Sequence, residues 1–489
     1  MIPTLRPYQV DAVTGIRQSF SRGHKATCLV LPTGSGKTVI FAYIAATSAA
    51  RGKRNLILVH RKELLKQTRQ KLIEFGIIPG IIHGEYAPNY SASVQIGMVQ
   101  SMAGRRGRYP DFDLVITDEC HHIAARTYLE TISAYPSAYQ LGVTATPIRT
   151  DGKGIGVDSG GVYTDMYVGV QTAELVQMGF LVEPIVHIPP TLVDMSGVRK
   201  LGGEYNAKEA SERVDKKSIT GDAMEHYLSN ARYEPAVIFC ASVAHAQHVA
   251  AEWRAAGIAA YAVDGGQRGK DKDRSGADYI DRTLRGLADG TVHAVMSCDL
   301  ISEGTDIPAI SYMGDLAPTA SLGKHLQKIG RALRPAKGKD RALIMDHVGN
   351  VGRMEAGFYK PNHGLPTDVR EWTLHGEAKS TTQRDKDAAP SCSLCPNCYG
   401  VYVARVRICP YCQFERPLHV REIETQEGEL VQITPEMILK AKRDEKIEVA
   451  RAQSLDDLEK IAKARGYKDG WAKHIFNSRE AKAQTLTKS

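Results

Sequence analysis

The sequence predicts an α/β protein: two parallel-sheet units in tandem, followed by a small cysteine-built module and a helical tail. Three observations predict it. Short apolar, β-branched runs alternate with helix-length segments across the first 350 residues, the rhythm of strands joined by crossover helices. The alternation comes in two series of similar size. Five of the nine cysteines then crowd into SCSLCPNCYGVYVARVRICPYC, residues 391–412.

In the first series strands are expected at 26–32, 55–60, 94–99, 113–118 and 139–144. In the second they are expected at 236–241, 258–263, 292–297, 310–316 and 341–346, with amphipathic stretches such as 243–256 between them. A Gly-rich stretch, TDGKGIGVDSGG (150–161), and a polar one (196–221) separate the series, giving units at 1–190 and 215–355. A polar segment, 360–391, leads to the cysteines, whose module spans 390–416. A charged, helix-prone tail occupies 436–480, with Trp471 near its far end.

Composition narrows the class. A chain of 489 residues with 43% hydrophobic residues suggests about three packed domains. No apolar run is long enough to span a bilayer and the N-terminus lacks the pattern of a secretory signal, so the expected setting is a reducing cytoplasm, without a membrane partner. In that reducing setting Cys28, Cys120, Cys240 and Cys298 read as small buried hydrophobes, whereas a tight cysteine cluster reads as a metal site. The formal charge of +8 points weakly to a polyanionic partner.

The segment LPTGSGKT (31–38) follows an expected strand and opens a helix. Backbone N–H groups across Thr33, Gly34, Ser35 and Gly36 can cradle phosphates there. Lys37 would reach the β and γ phosphates of ATP, and Thr38 supplies a hydroxyl to Mg²⁺. Leu31 stands where the strict pattern has its first glycine. Further on, DLVITDECHH ends an apolar strand in Asp118 and Glu119, the types needed to hold Mg²⁺ and to orient and deprotonate an attacking water. His121 would link that base to the rest of the site.

These elements resemble the superfamily 2 helicases of the DEAD/DEAH type, over residues 1–350, and the resemblance implies two RecA-like lobes. RPYQ (6–9) is similar to the adenine-reading Q motif, which places Arg6 and Gln9 at the nucleotide. VHRKELLKQT (59–68) and GMVQSM (97–102) resemble segments lining the nucleic-acid track, making Arg61, Gln100 and Ser101 candidates for backbone contact. VTATP (143–147) resembles motif III, so Thr144 and Thr146 would couple hydrolysis to strand movement. VIFCASVAHAQ (237–247) resembles motif IV, and MSCDLISEGTDIP (296–308) motif V, with Gly304 and Asp306 meeting the nucleotide. QKIGRALRP (327–335) resembles motif VI. LRPYQ, DECH and DHVGN (346–350) look most like RadD-like bacterial helicases and their phage-encoded relatives, which implies the cytoplasm of a bacterium or a phage-infected cell.

Motif VI also has a direct physical reading. Residues 327, 331 and 334 are four and three apart, so Gln327, Arg331 and Arg334 share one helix face, and guanidiniums offered from an opposing domain stabilise charge on a transferring phosphoryl group. Two Cys-Pro-x-Cys turns, Cys395 with Cys398 and Cys409 with Cys412, are ten residues apart, and the intervening GVYVARVRI reads as a β hairpin. Four thiolates without a histidine predict a structural Zn²⁺ ribbon, with Cys392 as the spare. The expected function is an ATP-dependent helicase or translocase acting on DNA, single-stranded or branched, in replication, recombination or repair, with the ribbon or tail available to a protein partner. An RNA helicase, a restriction-type motor subunit and an inactive nucleic-acid-binding adaptor are the alternatives.

Overall fold

The computed structural model describes residues 3–103, 108–189, 193–231, 233–263, 277–298, 310–355, 358–376, 392–394, 401–403, 431–433, 449, 452, 454–465 and 470–477. Two units are distinguished within the chain: residues 1–377 with 428–489, and residues 378–427.

The first unit contains two seven-stranded sheets. The first is built from β1 (Ala26–Val30), β2 (Asn55–Val59), β3 (Gly80–Ile82), β4 (Val94–Met98), β5 (Leu114–Asp118), β6 (Tyr139–Thr144) and β7 (Asp165–Val168). Its order is β3-β4-β2-β5-β6-β1-β7, parallel throughout. Strands β1, β2, β4 and β5 are buried at every position, as a parallel sheet covered on both faces requires. Alternate residues divide between the faces. Leu29, Ile57, Ile96 and Val143 pack with helices α1 (Pro7–Ser21), α2 (Lys37–Ala49) and α3 (Lys62–Glu74), while Cys28, Val30, Leu56 and Val115 build the opposite core. Cys28, Cys120 and Cys240 are indeed buried; Cys298 is half-buried.

The second sheet takes β8 (Glu183–Ile188) and, after a small hairpin of β9 (Lys200–Leu201) and β10 (Glu204–Tyr205), β11 (Ala236–Cys240), β12 (Ala260–Val263), β13 (Ala294–Ser297), β14 (Tyr312–Leu316) and β15 (Arg341–Asp346). Two short hairpins follow, β16 (Gly352–Glu355) with β17 (Phe358–Pro361) and β18 (Cys392–Leu394) with β19 (Val401–Val403), and β20 (Val431–Ile433) closes the sheet edge. The order is β12-β13-β11-β14-β15-β8-β20, with only β20 antiparallel to its neighbour.

All ten expected strands form. To the two large sheets the structure adds β3, β7, β8 and β20, and it shifts the seam between lobes. Glu183–Ile188, inside the expected unit 1–190, pairs with β15 and so belongs to the second sheet. The Gly-rich stretch at 150–161 is not a spacer: Gly156 N–H donates to Leu374 O at 2.9 Å, and a Cβ on Gly154 would lie 1.9 Å from that same oxygen. Those glycines let a later chain segment dock on the first lobe. Of GVYVARVRI, Val401–Val403 pairs with Cys392–Leu394, and the rest of the expected hairpin lies outside the described residues. In the tail a helix covers Leu455–Arg465, and Leu458, Ile461 and Ala472 share a small core. Gly304, Asp306, Cys395, Cys398, Cys409 and Cys412 lie outside the described residues. Among the described residues no helix is long and apolar enough to cross a membrane, and no group of side chains is placed to hold a metal ion.

Candidate nucleotide site

Sheet order assembles the site. Strands β5, β6 and β1 are neighbours, so Asp118 at the end of β5, Thr144 at the end of β6 and the loop after β1 stand side by side at one edge. Leu31 continues β1, with its N–H donating to Thr144 O at 3.1 Å. Its side chain fills the core, which is why this loop has a leucine where the strict pattern has a glycine. Gly34 and Gly36 adopt φ of +87° and +81°, conformations that favour glycine, and Gly36 precedes α2 without a side-chain cap.

The donor set fits a triphosphate with Mg²⁺. Helix α2 presents an uncapped N-terminus, and the buried Ser35 hydroxyl has no hydrogen-bond partner among the described residues. Lys37 Nζ donates to the carbonyls of Leu31 and Pro32, each at 3.2 Å. Burial lowers the pKa of Lys37; Glu119 and Asp118 oppose that shift, and Arg334 and Arg331 add to it. Five charges expected from separate motifs therefore act on one small volume, the two arginines coming from the second lobe.

Glu119 sits in the left-handed region at φ +49°, uncommon for a residue with a side chain. Its backbone N–H donates to Asp118 Oδ1 at 3.0 Å, which ties the Asp118 carboxylate to the Glu119 main chain. His121 Nδ1 lies 3.4 Å from Glu119 Oε2 and 3.1 Å from the Thr144 hydroxyl, while Thr146 N–H donates to that hydroxyl at 3.1 Å. The β5 and β6 ends are thereby joined through one imidazole. Gln327 Nε2 approaches Glu119 Oε2 at 3.5 Å.

The helix Leu322–Ala332, which carries Gln327 and Arg331, comes very close to the first lobe. A Cβ on Gly330 would lie 2.4 Å from Thr33 Cβ, and one on Gly323 would lie 3.0 Å from Thr146 Oγ1. The two glycines are seven residues apart and so share the face toward the first lobe. The stem of Arg334 reaches the Gly34 turn, 3.9 Å from a Cβ placed there.

Residues 2–149 match the family described as type III restriction enzyme, res subunit, and residues 220–336 match the helicase conserved C-terminal domain; together these cover more than half of the chain. A 51.5 kDa protein of a Lactococcus phage (isolate 7-9) is 28% identical over 78% of this chain and 76% of its own length. A Schizosaccharomyces pombe protein, provisionally named a mitochondrial ATP-dependent helicase, irc3, is 29% identical over 81% of this chain and 64% of its own length. The chain belongs to the superfamily 2 helicases. Fold likeness agrees: a fragment of an HsdR subunit assigned to a type I restriction enzyme of Vibrio vulnificus YJ016 superposes with a TM-score of 0.52 at 22% identity, over 70% of this chain and 64% of that one. The helicase thus spans just under two thirds of two of these three relatives.

Sequence reasoning missed several residues at this site. Tyr8 donates its hydroxyl to Ser35 O at 2.7 Å, and Gln9 donates to the same carbonyl at 3.2 Å while its Oε1 accepts the Arg6 N–H. In this helicase Gln9 thus braces the loop at Ser35. The Arg6 guanidinium lies 4.2 Å from the centre of the Phe180 ring, and Tyr8 packs on the same ring. Phe180 lies outside every recognisable motif, so no local pattern could have found it. Of the proposed track residues, Gln100 donates to His60 O at 3.3 Å and Arg61 precedes α3 as its N-cap.

Proposed function

We propose that the chain is an ATP-driven motor that moves along nucleic acid, with DNA as its polymer. One observation carries this reading: Gln327, Arg331 and Arg334 of the second lobe converge on Lys37, Asp118 and Glu119 of the first, so the hydrolytic site is complete only when the lobes meet. The phosphates would lie in the Thr33–Thr38 loop, with Lys37 on the β and γ groups. Mg²⁺, held by Thr38 and Asp118, would neutralise phosphate charge. Glu119, held by His121 and Gln327, orients and deprotonates the water, while Arg331 and Arg334 stabilise charge on the transferring group. Closure completes the site and hydrolysis reopens it. Those alternating lobe positions would advance the protein along a strand held mainly through its phosphates.

ATP turnover measured with single strands, duplexes, forks and RNA tests this reading. DNA should stimulate most, and Lys37→Ala and Glu119→Gln should each abolish turnover in a folded protein; normal rates in both variants would refute the assignment. The match of residues 2–149 to a restriction-enzyme family favours one second reading, a motor working for a nuclease. The sequence shows no convincing PD…ExK nuclease pattern, and cleavage of supercoiled DNA would decide for it.

For the cysteine-rich unit, the proposal is a structural Zn²⁺ held by Cys395, Cys398, Cys409 and Cys412. Support comes from the paired CPxC spacing and from the β18–β19 pairing, which brings the two ends of the segment containing Cys395 and Cys398 together. Metal analysis should find one zinc per chain, retained in Cys392→Ser and lost in Cys395→Ser. The ribbon would serve as a docking element for DNA or a protein partner.

A further inference from the structure

Lys328 follows Gln327 in the helix Leu322–Ala332, yet it is only 5% exposed. Desolvating an ammonium costs several kcal/mol unless every donor is met, and here all three are: Nζ donates to Asp315 Oδ1 and Oδ2 at 2.6 and 2.7 Å and to Ala317 O at 2.9 Å. Asp315, 1% exposed, is the penultimate residue of β14. Asn350 braces it, donating to Asp315 Oδ2 at 2.8 Å and to Ala317 O at 2.9 Å, while its own carbonyl accepts Thr319 N–H at 2.9 Å. Asn350 is fixed in turn by Asp346 at the end of β15, whose carboxylate accepts the N–H groups of residues 348–351. This unites the DHVGN segment, which the nucleotide site leaves without a role, with the helix that carries Gln327 and Arg331 and ends just before Arg334.

Position on the helix gives the network its meaning. Gln327, Arg331 and Arg334 point to the first lobe; Lys328, about 100° further round, points into its own sheet. A buried ion pair is a poor source of net stability, since apolar pairs of similar volume often do as well or better. A bidentate contact does, however, fix the helix's rotation about its axis and its depth above β14.

We propose that Lys328, locked by Asp315 and Asn350, is a positioning residue for hydrolysis, setting the height and roll at which Gln327, Arg331 and Arg334 meet Glu119 and the phosphate loop. The proposal rests on the composite ATP site above. It differs from a simple structural role in one respect: an apolar pair can replace the packing but not the geometry.

The test is the double variant Lys328→Met/Asp315→Leu, assayed as the full-length chain with saturating ATP and DNA. Expected are a melting temperature within about 5 °C of the parent, unchanged affinity for a fluorescent ADP analogue, and kcat lowered at least tenfold with KM nearly constant, because an error near 1 Å costs about 100-fold. A folded double variant with kcat within twofold of the parent would overturn the proposal. Should that variant not fold, Lys328→Arg takes its place, keeping the charge while forcing a wider, planar group into the three-way socket. A fivefold or larger loss of kcat at unchanged melting temperature supports the positioning role, and parental kcat overturns it. A parent chain with no ATP turnover would overturn both this proposal and the motor reading, whereas an active parent and an equally active variant would remove this one alone.

Discussion

Gly330→Ala is the most direct probe of how the two lobes meet. The new methyl would sit 2.4 Å from Thr33 Cβ, whereas carbon atoms rest about 3.5–4.0 Å apart. The helix Leu322–Ala332 must then retreat from the phosphate loop by more than about 1 Å. Gln327 Nε2 is already 3.5 Å from Glu119 Oε2, the outer limit of a hydrogen bond, so the contact breaks. A displacement of that size costs about 100-fold in turnover, or about 2.7 kcal/mol of barrier. Helix propensity works in the opposite direction, since alanine is about 1 kcal/mol better than glycine inside a helix. The variant should therefore melt near the parent temperature yet hydrolyse ATP about two orders of magnitude more slowly at saturating ATP and DNA. Gly323→Ala, whose methyl meets Thr146 Oγ1 at 3.0 Å, should lose less. Turnover within threefold of the parent in Gly330→Ala would refute the close-approach argument.

Two further outcomes follow from the buried polar groups. Thr144→Val removes the hydroxyl that joins His121 to Thr146 N–H; leaving a buried donor unmet costs about 1–3 kcal/mol, so the melting temperature should fall and ATP turnover drop about tenfold, with ADP affinity retained in a binding titration. Burial pushes His245 down to about 4 and His347 down to about 3, the latter helped by His226. Both are neutral in the folded chain and take up protons on unfolding, so their contribution to stability is complete above about pH 6.5 and declines as pH falls toward 4. Each histidine contributes about 1.4 kcal/mol per pH unit below 6.5, opposed in part by Asp346, which burial and Asp315 push up to about 7; melting temperatures measured from pH 8 to pH 5 should therefore fall more in the parent than in His347→Gln, and identical profiles would contradict the assignment.

The strands that could be read in advance are those whose own residues carry the signal. NLILV is apolar at all but its first position and LVITD at its first three, because both strands are buried on both faces. The strands that could not be read lack that signal. β3 has three residues, β7 lies at the sheet edge and is partly exposed along its length, and β8 contains Pro184 and is defined by pairing with a strand more than 150 residues away. The same distinction holds at the site. Lys37, Asp118, Glu119 and the motif VI residues, which the structure brings together, could be singled out in advance because their types and spacing are those that phosphate and metal chemistry requires. Phe180, Tyr8 and Lys328 were not, since nothing in their local sequence names the partner that gives them a role.

The sequence by itself therefore determined the two α/β lobes and singled out the candidate residues of an ATP site and of a cysteine cluster, because periodicity and chemical type are local properties. Only the tertiary structure decided that β8 joins the second lobe, that the glycines at 154, 156, 323 and 330 serve close contact rather than flexibility, and that Lys328 is turned inward onto Asp315. Each of those is a statement about distance between residues far apart in the chain, and such distances exist only once both sheets have formed and their helices have packed.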